Sequence, residues 1–334
     1  MEKQYQHFVS RFLLKNFTDK SIGKYSIHKL ENGKWEVCNI SNTGGIDLLY
    51  GSKDCSLEDF FGKLENIIAK IINEHNILDK KDKAYMKIFI QLMANRSPSK
   101  NQKLNEEYLR YKNAIEKEIP DEVERCIYLE KYKKEQSIIL MALEEDIELR
   151  EIIDKLPISF DDNDESKFFT DTVEAVLQIL PQVGKHFDIH IFGSDHELVI
   201  GETPTVSVNL GTNEIKTNGG EAGLIHENIM YWLPIAYNKV IFMYTNKNII
   251  AQKNRKLRKQ DVNILNYYQT KKSPFYYSRT QNVNIPDLPS NFNWVKHFNY
   301  VFGYKNTLLD KKRQNCGKRQ VRDNVVMLEK SIGD

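Results

Sequence analysis

The spacing of apolar residues along the chain predicts several helices between two β-rich regions. Residues 57–74 and 81–96 each place an apolar residue every three or four positions, which is typical of amphipathic helices. Ser97-Pro98 ends the second of these. Residues 99–156 keep the helical period in a more charged setting with a break near 119–121, and a further helix ends near Pro181 and Gly184. The middle of the chain is therefore predicted to be helical.

Alternating apolar and polar residues predict strands on both sides of these helices. Residues 23–50 contain two alternating runs around Asn32-Gly33, a strong hairpin signal because both residues tolerate a positive φ. Residues 187–209 predict two strands, and residues 230–246 predict a second pair around Tyr237-Asn238. Residues 259–271 return to a helical pattern. The order predicts an α+β fold with an N-terminal strand or hairpin, a central helical bundle, and C-terminal antiparallel strands plus a helix.

The predicted organisation is one domain over residues 1–290 followed by an extension. The helical part covers about 56–185 and the β-rich part about 186–280, and the acidic stretch 161–166 is the best candidate for an internal boundary. Residues 291–334 are rich in basic and aromatic side chains. We expect them to form a C-terminal extension outside the domain.

Composition excludes several classes of protein. The chain has 334 residues and a net charge of +2, so overall charge indicates no particular partner. We expect no membrane span and no secretion signal. The four cysteines are scattered, which predicts reduced thiols and a cytoplasmic location. The sequence lacks the P-loop, Rossmann, HExxH and GxSxG motifs, which argues against the corresponding enzyme classes.

The segment "QHFVSRFLLKNF" (6–17) carries two polar residues of interest in an apolar setting. A buried polar group needs a partner, so the segment is either a structural strap or one edge of a polar site. Interpreted as a strand, it places His7 and Arg11 on one face, with Arg11 as a second anion contact. His7 is the best acid–base candidate because its ordinary pKa lies close to working pH. A hydrogen-bonded structural histidine is the alternative.

Arg96 and Glu65 lie on or beside the apolar faces of their predicted helices. Arg96 follows Leu92 by four positions, and Glu65 follows Phe61 by four. A guanidinium directed at a core needs a carboxylate partner or a polar cleft. The sequence leaves two interpretations open. Either Glu65 and Arg96 form a buried pair joining two helices, or both line a polar pocket with His7 in which Arg96 binds a phosphate or carboxylate.

Further candidates lie in the second half of the chain. Glu202, in "GETP" at the end of a predicted strand, is either a site carboxylate or a turn residue that caps a nearby N–H. His186, His190 and His196 are of a residue type that commonly binds zinc. If His186 and His190 lie in a strand, however, they are about 13 Å apart, which argues against a shared ion. Two basic stretches interleaved with aromatic residues suit a nucleic-acid backbone, with a solvated face as the alternative. Their candidate contacts are Lys253, Arg255, Lys256, Arg258, Lys259, Lys312, Arg313 and Arg319.

Several short motifs, taken in order, resemble a bacterial family described as domain of unknown function 4238. They are "HFVSRFLLKNF", "LEDFFGKLENIIAKII", "FIQLMANRSP", "LVIGETPTVSVN", "WLPIAYNKVIFM" and "ILNYYQTKKSPFYYS". The residues that match family positions are His7, Glu65, Gln91, Arg96, Pro98, Glu202, Pro204, Pro234, Asn266, Tyr277 and Ser278. The resemblance covers roughly residues 5–280. Ser10 stands where the family usually has proline, and Glu202 where it usually has aspartate.

The residues and the resemblance together lead to one functional hypothesis with open alternatives. We expect a nuclease-like enzyme in which His7, Glu65, Arg96 and Glu202 share a pocket, and the resemblance implies a role in bacterial conflict such as phage defence. The supporting residues would be Arg11, Gln91 and Asn266. Glu65 and Glu202 would orient the others or hold Mg²⁺ or Mn²⁺.

The rival hypothesis is a non-catalytic module that binds RNA, DNA or a protein around a buried structural network. A small-molecule hydrolase or transferase with Arg96 as anion anchor is a third. A partner protein or a second copy of the chain remains open as well.

Overall fold

The computed structural model has twelve strands and eight helices in the parts of the chain that it describes. These parts are residues 5–47, 49, 56–74, 78–128, 131, 145–156, 167–209, 229–245, 249–251, 255–283, 285–288 and 302–304. The helices are α1 (Arg11–Lys15), α2 (Ser56–Glu74), α3 (Lys80–Asn95), α4 (Pro98–Glu118), α5 (described over 122–128), α6 (Ile147–Asp154), α7 (Lys167–Gly184) and α8 (Lys259–Lys272). The strands are β1 (Tyr5–His7), β2 (Ser26–Glu31), β3 (Lys34–Asn39), β4 (Gly45–Asp47), β5 (Phe187–Gly193), β6 (Ile200–Gly201), β7 (Val206–Asn209), β8 (Ile229–Ala236), β9 (Lys239–Thr245), β10 (Ile249–Ala251), β11 (Phe275–Ser278) and β12 (Phe302–Tyr304). The predicted α+β class is confirmed.

Two four-stranded antiparallel sheets form the β part of the fold. One has the order β3-β2-β11-β6 and the other the order β5-β9-β8-β7, while β1 pairs with β4 and β10 pairs with β12. In the first sheet, β11 pairs with β2 so that Ser278 lies opposite His28. The N-terminal hairpin and a strand from near residue 280 therefore share one sheet. This pairing supports the interpretation of residues 1–290 as a single domain, which stays a prediction.

The two predicted hairpins form where the turn residues indicated. Asn32 and Gly33 have φ values of 50° and 75°, so both occupy the left-handed region that a tight hairpin turn between β2 and β3 requires. Strands β8 and β9 pair around Tyr237-Asn238. Their side chains are almost entirely buried, which explains the continuous apolar runs in this part of the sequence.

Helix α3 is the central helix of the bundle. Asp79 and Asp82 form a capping box at its N-terminus, and every residue from Met86 to Asn95 is buried. It packs against α2, α6 and α7. Because the helix is buried over most of its length, the residue that ends it, Arg96, is also carried into the interior.

Two local predictions differ from the structure. The segment 6–17 is a strand only to His7, and α1 begins at Arg11, because a short apolar run fits either structure and burial of Leu13 and Leu14 favours the helix. The single strand face shared by His7 and Arg11 is therefore wrong. The predicted helix end near Pro181 and Gly184 is confirmed, because α7 ends at Gly184 with Pro181 in its last turn; the Pro181 carbonyl accepts a 2.7 Å hydrogen bond from the Asp146 amide. Residues 187–209 contain three strands rather than two.

Some predictions fall outside the described residues. The acidic stretch 161–166 and the residues from 305 onward are among them. Within the described parts, Cys38 and Cys126 are free. No described helix combines the length and apolarity needed to cross a membrane.

Candidate functional site

A buried arginine at the junction of α3 and α4 is the centre of the candidate site. Arg96 is 2% exposed, and its Nη1 donates a hydrogen bond to the Glu65 carboxylate. Nη1 also lies 3.5 Å from Ser10 Oγ, whereas Nη2 lies 3.9 Å from Glu58 Oε2. The guanidinium stacks on the Phe61 ring, 4.0 Å from its centroid. We call these five residues the Arg96 cluster.

One face of α2 supplies three members of the Arg96 cluster. Glu58, Phe61 and Glu65 follow one another at spacings of three and four, which places them on the same side of a helix. That side meets the C-terminal end of α3, and α2 and α3 pack directly against each other. The expected proximity of Glu65 and Arg96 is therefore produced by helix packing.

Ser10 connects the N-terminal segment to this helix pair. It is fully buried, and its hydroxyl donates a 2.7 Å hydrogen bond to Glu65 Oε1. The hydroxyl also lies 3.6 Å from the Met93 sulfur. Ser10 thus contacts the site carboxylate, and it does so just before α1 begins.

The two carboxylates of the cluster differ in their surroundings. Glu65 has an 18% exposed side chain and accepts hydrogen bonds from both Arg96 and Ser10. The Glu58 side chain is 43% exposed overall, yet its Oε2 atom is buried and has no hydrogen-bond partner among the described residues. Desolvation by burial raises the pKa of Glu58 above its ordinary value, and the Arg96 charge opposes that rise.

His7 lies at the end of β1 with its ring largely buried. Its Nε2 is 3.2 Å from the Ile40 carbonyl oxygen, so Nε2 carries the proton and donates, leaving Nδ1 with a lone pair. Burial lowers the pKa of His7 to about 4, with smaller contributions from the Arg11 and Arg96 charges. His7 is therefore neutral near pH 7 and lies within electrostatic range of Arg96.

Glu202 caps the first turn of α4. Its Oε1 accepts a 3.1 Å hydrogen bond from the Ser99 amide, and its Oε2 accepts a 2.5 Å hydrogen bond from the Ser99 hydroxyl. The neighbouring Thr203 hydroxyl donates to Ser97 Oγ at 2.8 Å. These contacts fix the chain directly after Arg96. They correspond to the capping role that the sequence left open for Glu202, beside the catalytic one.

Helix α8 holds the Glu202 segment in place. The Asn266 side chain accepts from the Val199 amide at 3.0 Å and donates to the Glu197 carbonyl at 2.9 Å. One turn later, Gln269 accepts from the Gly201 amide at 3.0 Å and donates to the Pro204 carbonyl at 2.7 Å. Asn266 thus supports the backbone that carries Glu202.

The other two supporting candidates lie apart from the Arg96 cluster. Gln91 is buried in α3, where it hydrogen-bonds Tyr231, and its Nε2 atom has no partner in the described part of the chain. Arg11 is exposed, and its Nη2 lies 3.4 Å from Ser41 Oγ. Arg11 is connected to the site through electrostatics, because its positive charge contributes to the lowered pKa of His7.

The described basic residues before α8 are partly engaged in local pairs. Lys256 lies 2.7 Å from Asp195. Arg258, the residue just before α8, donates two hydrogen bonds to the carboxylate of Asp261 in the first turn of that helix. Arg255 and Lys259 are exposed. Lys253, Lys312, Arg313 and Arg319 lie outside the described residues, so their nucleic-acid role stays a prediction.

The carboxylates assigned to Mg²⁺ or Mn²⁺ fit a metal ion poorly. Glu65 is engaged by Arg96 and Ser10, and Glu202 by Ser99. Over the described ranges, no group of three or more His, Cys, Asp or Glu side chains is arranged to hold a metal.

Two site residues escaped sequence reasoning. In the sequence, Ser10 was noted only because the family resemblance places a proline there. A serine within an apolar run gives no pattern that indicates its partner. The position of Glu58 could have been predicted from its spacing, because it precedes Phe61 by three residues and Glu65 by seven on the predicted helix. That spacing places it on the same face as the residue already singled out.

Comparison with known proteins gives a family and no activity. A family model described as "Protein of unknown function (DUF4238)" matches residues 5–282. The search of curated proteins finds no match. The search of solved structures finds none either.

Proposed function

This chain belongs to the DUF4238 family, and we propose that it is a nuclease-like enzyme that cleaves phosphodiester bonds beside the Arg96 cluster. One observation carries the proposal. A neutral histidine with a lowered pKa and a carboxyl group with a raised pKa, His7 and Glu58, both lie within electrostatic range of one buried guanidinium. Titratable groups whose environments push their pKa values apart are typical of acid–base sites.

Each residue has a distinct part in the proposed reaction. His7 Nδ1 accepts a proton from the attacking water or ribose hydroxyl as the new P–O bond forms, since Nε2 is already donating to Ile40. It then returns that proton to the leaving oxygen, whose P–O bond breaks. Arg96 binds the phosphate and stabilises the negative charge that grows on its oxygens. Glu65 and Ser10 hold Arg96 in place. Glu202 fixes the backbone after Arg96 through Ser99.

The test is cleavage by the purified full-length chain. Labelled RNA, single-stranded DNA and duplex DNA are incubated with the wild type, with His7→Ala and with His196→Ala, an exposed control histidine outside the cluster. We expect cutting that His7→Ala abolishes and His196→Ala leaves unchanged. Circular dichroism shows whether each variant is folded. Unchanged cutting by folded His7→Ala would remove His7 from the mechanism.

The pH profile provides an independent check on the proposed base. The His7 pKa is about 4, and only the neutral form accepts a proton. We therefore expect the rate to rise with a midpoint near pH 4 and to stay level between about pH 5 and 8. A rise centred near the ordinary histidine pKa would contradict this role for His7.

A non-catalytic binding module is the second candidate, and one observation favours it. Glu65, Glu202 and Asn266 all have protein partners that explain their burial without a substrate. This account predicts binding of RNA, DNA or a protein with no cutting under any condition tested. A cytoplasmic location and a role in bacterial defence belong to the proposal under either candidate.

A further inference from the structure

A second arginine, Arg279, stacks on an aromatic ring directly after β11 ends. Its central guanidinium carbon lies 4.3 Å from the centroid of the Tyr237 ring, so the stack fixes the plane of the guanidinium. Both side chains are half-buried. None of the N–H groups of Arg279 donates a hydrogen bond to a described residue. A guanidinium that has lost part of its hydration usually has an anion or a carbonyl as partner, so these donors are available to a ligand.

The described carboxylates beside Arg279 have hydrogen-bond partners of their own. Glu197 Oε1 accepts from the Thr280 amide and Glu197 Oε2 from the Thr280 hydroxyl, each at 2.8 Å. Asp19 accepts a 2.9 Å hydrogen bond from the Ser21 amide. Asp19 lies within electrostatic range of Arg279 but forms no ion pair with it. Its charge therefore offsets part of the positive charge of Arg279 and leaves the donors of the guanidinium unoccupied.

One short segment of chain, Glu197-Leu198, fixes both halves of the stack. The Leu198 amide donates a 2.7 Å hydrogen bond to the Tyr237 carbonyl. The Glu197 carboxylate binds both the amide and the hydroxyl of Thr280, the residue after Arg279. The ring and the backbone beside the guanidinium are thus fixed to the same support. A ligand that meets these donors has little ordering of the protein to offset.

The charges around the stack favour an anion. Lys20 follows Asp19 directly, and Lys239 lies two residues after Tyr237; both lysines are exposed. Together with Arg279 they outnumber the Asp19 carboxylate. The planar fork of a guanidinium matches two oxygens of a phosphate or a carboxylate, and the surplus of positive charge favours the phosphate, which is the more highly charged of the two.

We propose that Arg279, stacked on Tyr237, binds a phosphate group at a site separate from the Arg96 cluster. The described contacts of Arg279 include no member of that cluster. The inference goes beyond the proposed function, because it holds equally if the chain binds a nucleic-acid strand without cutting it. The shared chemistry is the phosphate group, either within a nucleic-acid backbone or as the free ion.

The first experiment measures binding of a single strand as a function of salt. A fluorescent oligothymidylate with a phosphorothioate backbone, which keeps the charge and resists cutting, is titrated into the wild type, Arg279→Gln and Arg150→Gln. Arg150 is the matched control because it is half-buried and already lies 2.8 Å from Glu145. We expect Arg279→Gln to lower the affinity about tenfold, the effect of one charge-assisted contact, and to reduce the salt slope by about 0.7. Arg150→Gln should change the affinity less than about twofold.

Nuclear magnetic resonance tests the same site in the unaltered protein. The ¹⁵N resonance of the Arg279 side chain, assigned by its loss in Arg279→Lys, should shift more in potassium phosphate than in potassium acetate of equal ionic strength. A loss of strand affinity specific to Arg279→Gln identifies the nucleic-acid backbone as the source of the phosphate. A phosphate-dependent shift without that loss identifies the free ion. The absence of both effects, or an acetate shift as large as the phosphate shift, would overturn the inference.

This outcome is distinguishable from that of the proposed function. Phosphate binding that depends on Arg279, in a protein that cuts no nucleic acid, would retain the Arg279 site and reject the nuclease. Cutting that requires His7, in a protein whose Arg279 responds to neither ligand, would retain the nuclease and reject the Arg279 site.

Discussion

Glu65→Gln is expected to destabilise the fold by removing the charge that neutralises Arg96. The glutamine keeps the size of the side chain and an oxygen that accepts hydrogen bonds from Ser10 and Arg96. What it removes is the negative charge beside a guanidinium that is 2% exposed. The other described carboxylate near Arg96 is that of Glu58, which lies 3.9 Å away and is half-exposed.

The size of the effect follows from the burial of the pair. At an effective dielectric constant of about 20, two unit charges about 4 Å apart interact by roughly 4 kcal/mol. The retained hydrogen bonds and the 18% exposure of the Glu65 side chain reduce that figure. We expect a loss of about 3 kcal/mol in the free energy of unfolding, in the range found when one partner of a buried ion pair is removed.

Urea denaturation followed by circular dichroism measures the loss. Glu74→Gln is the control because it makes the same substitution on the same helix, where Glu74 lies 4.0 Å from Lys70 and both side chains are exposed. That pair should contribute less than about 0.5 kcal/mol. A double-mutant cycle with Arg96→Met should give a coupling energy above about 1.5 kcal/mol. If Glu65→Gln and Glu74→Gln cost the same, the structural importance assigned to the Arg96 cluster is wrong.

Asn266→Ala should lower the free energy of unfolding by about 2 kcal/mol, because it removes the side-chain partner of the Val199 amide and of the Glu197 carbonyl. Thermal denaturation measures the loss, with Asn263→Ala at a half-buried position of the same helix as the control. Glu202→Ala should speed hydrogen exchange in the first turn of α4 by removing a cap of about 1 kcal/mol, and unchanged exchange would refute the capping role. Burial lowers the pKa of His7 from its ordinary 6.5 to about 4, so the unfolded chain binds the proton more readily between these values. Stability should therefore be greatest above pH 6.5 and fall by up to about 3 kcal/mol as pH drops toward 4, and His7→Gln should flatten this slope.

Local patterns in the sequence were enough to identify most secondary structure and part of the site. The helical period located α2 and α3, and Asn32-Gly33 located the first hairpin, because these signals depend on neighbouring residues alone. The same period placed Arg96 on a buried face. It also indicated that Glu65 was a suitable partner, and the two side chains do form an ion pair.

The roles of other candidates depended on contacts between residues far apart in the chain. Glu202 and Ser99 are 103 positions apart, and Asn266 and Val199 are 67 apart. A side chain that caps a helix and one that holds a substrate have the same appearance in a sequence. The acceptor and donor that each one meets are set by the packing of α4 and α8.

The sequence by itself determined that an arginine would end a buried helix and would need an anion, since burying an unpaired guanidinium is too costly. It also determined the α+β order of elements and the hairpin turns. Only the tertiary structure decided that two carboxylates meet this arginine, because Glu58 and Glu65 reach it through the packing of α2 on α3. It also decided that Ser10 joins them, as the chain turns there from β1 into α1. The meeting of Arg96 with these residues is a property of that packing, and no pattern along a single segment encodes it.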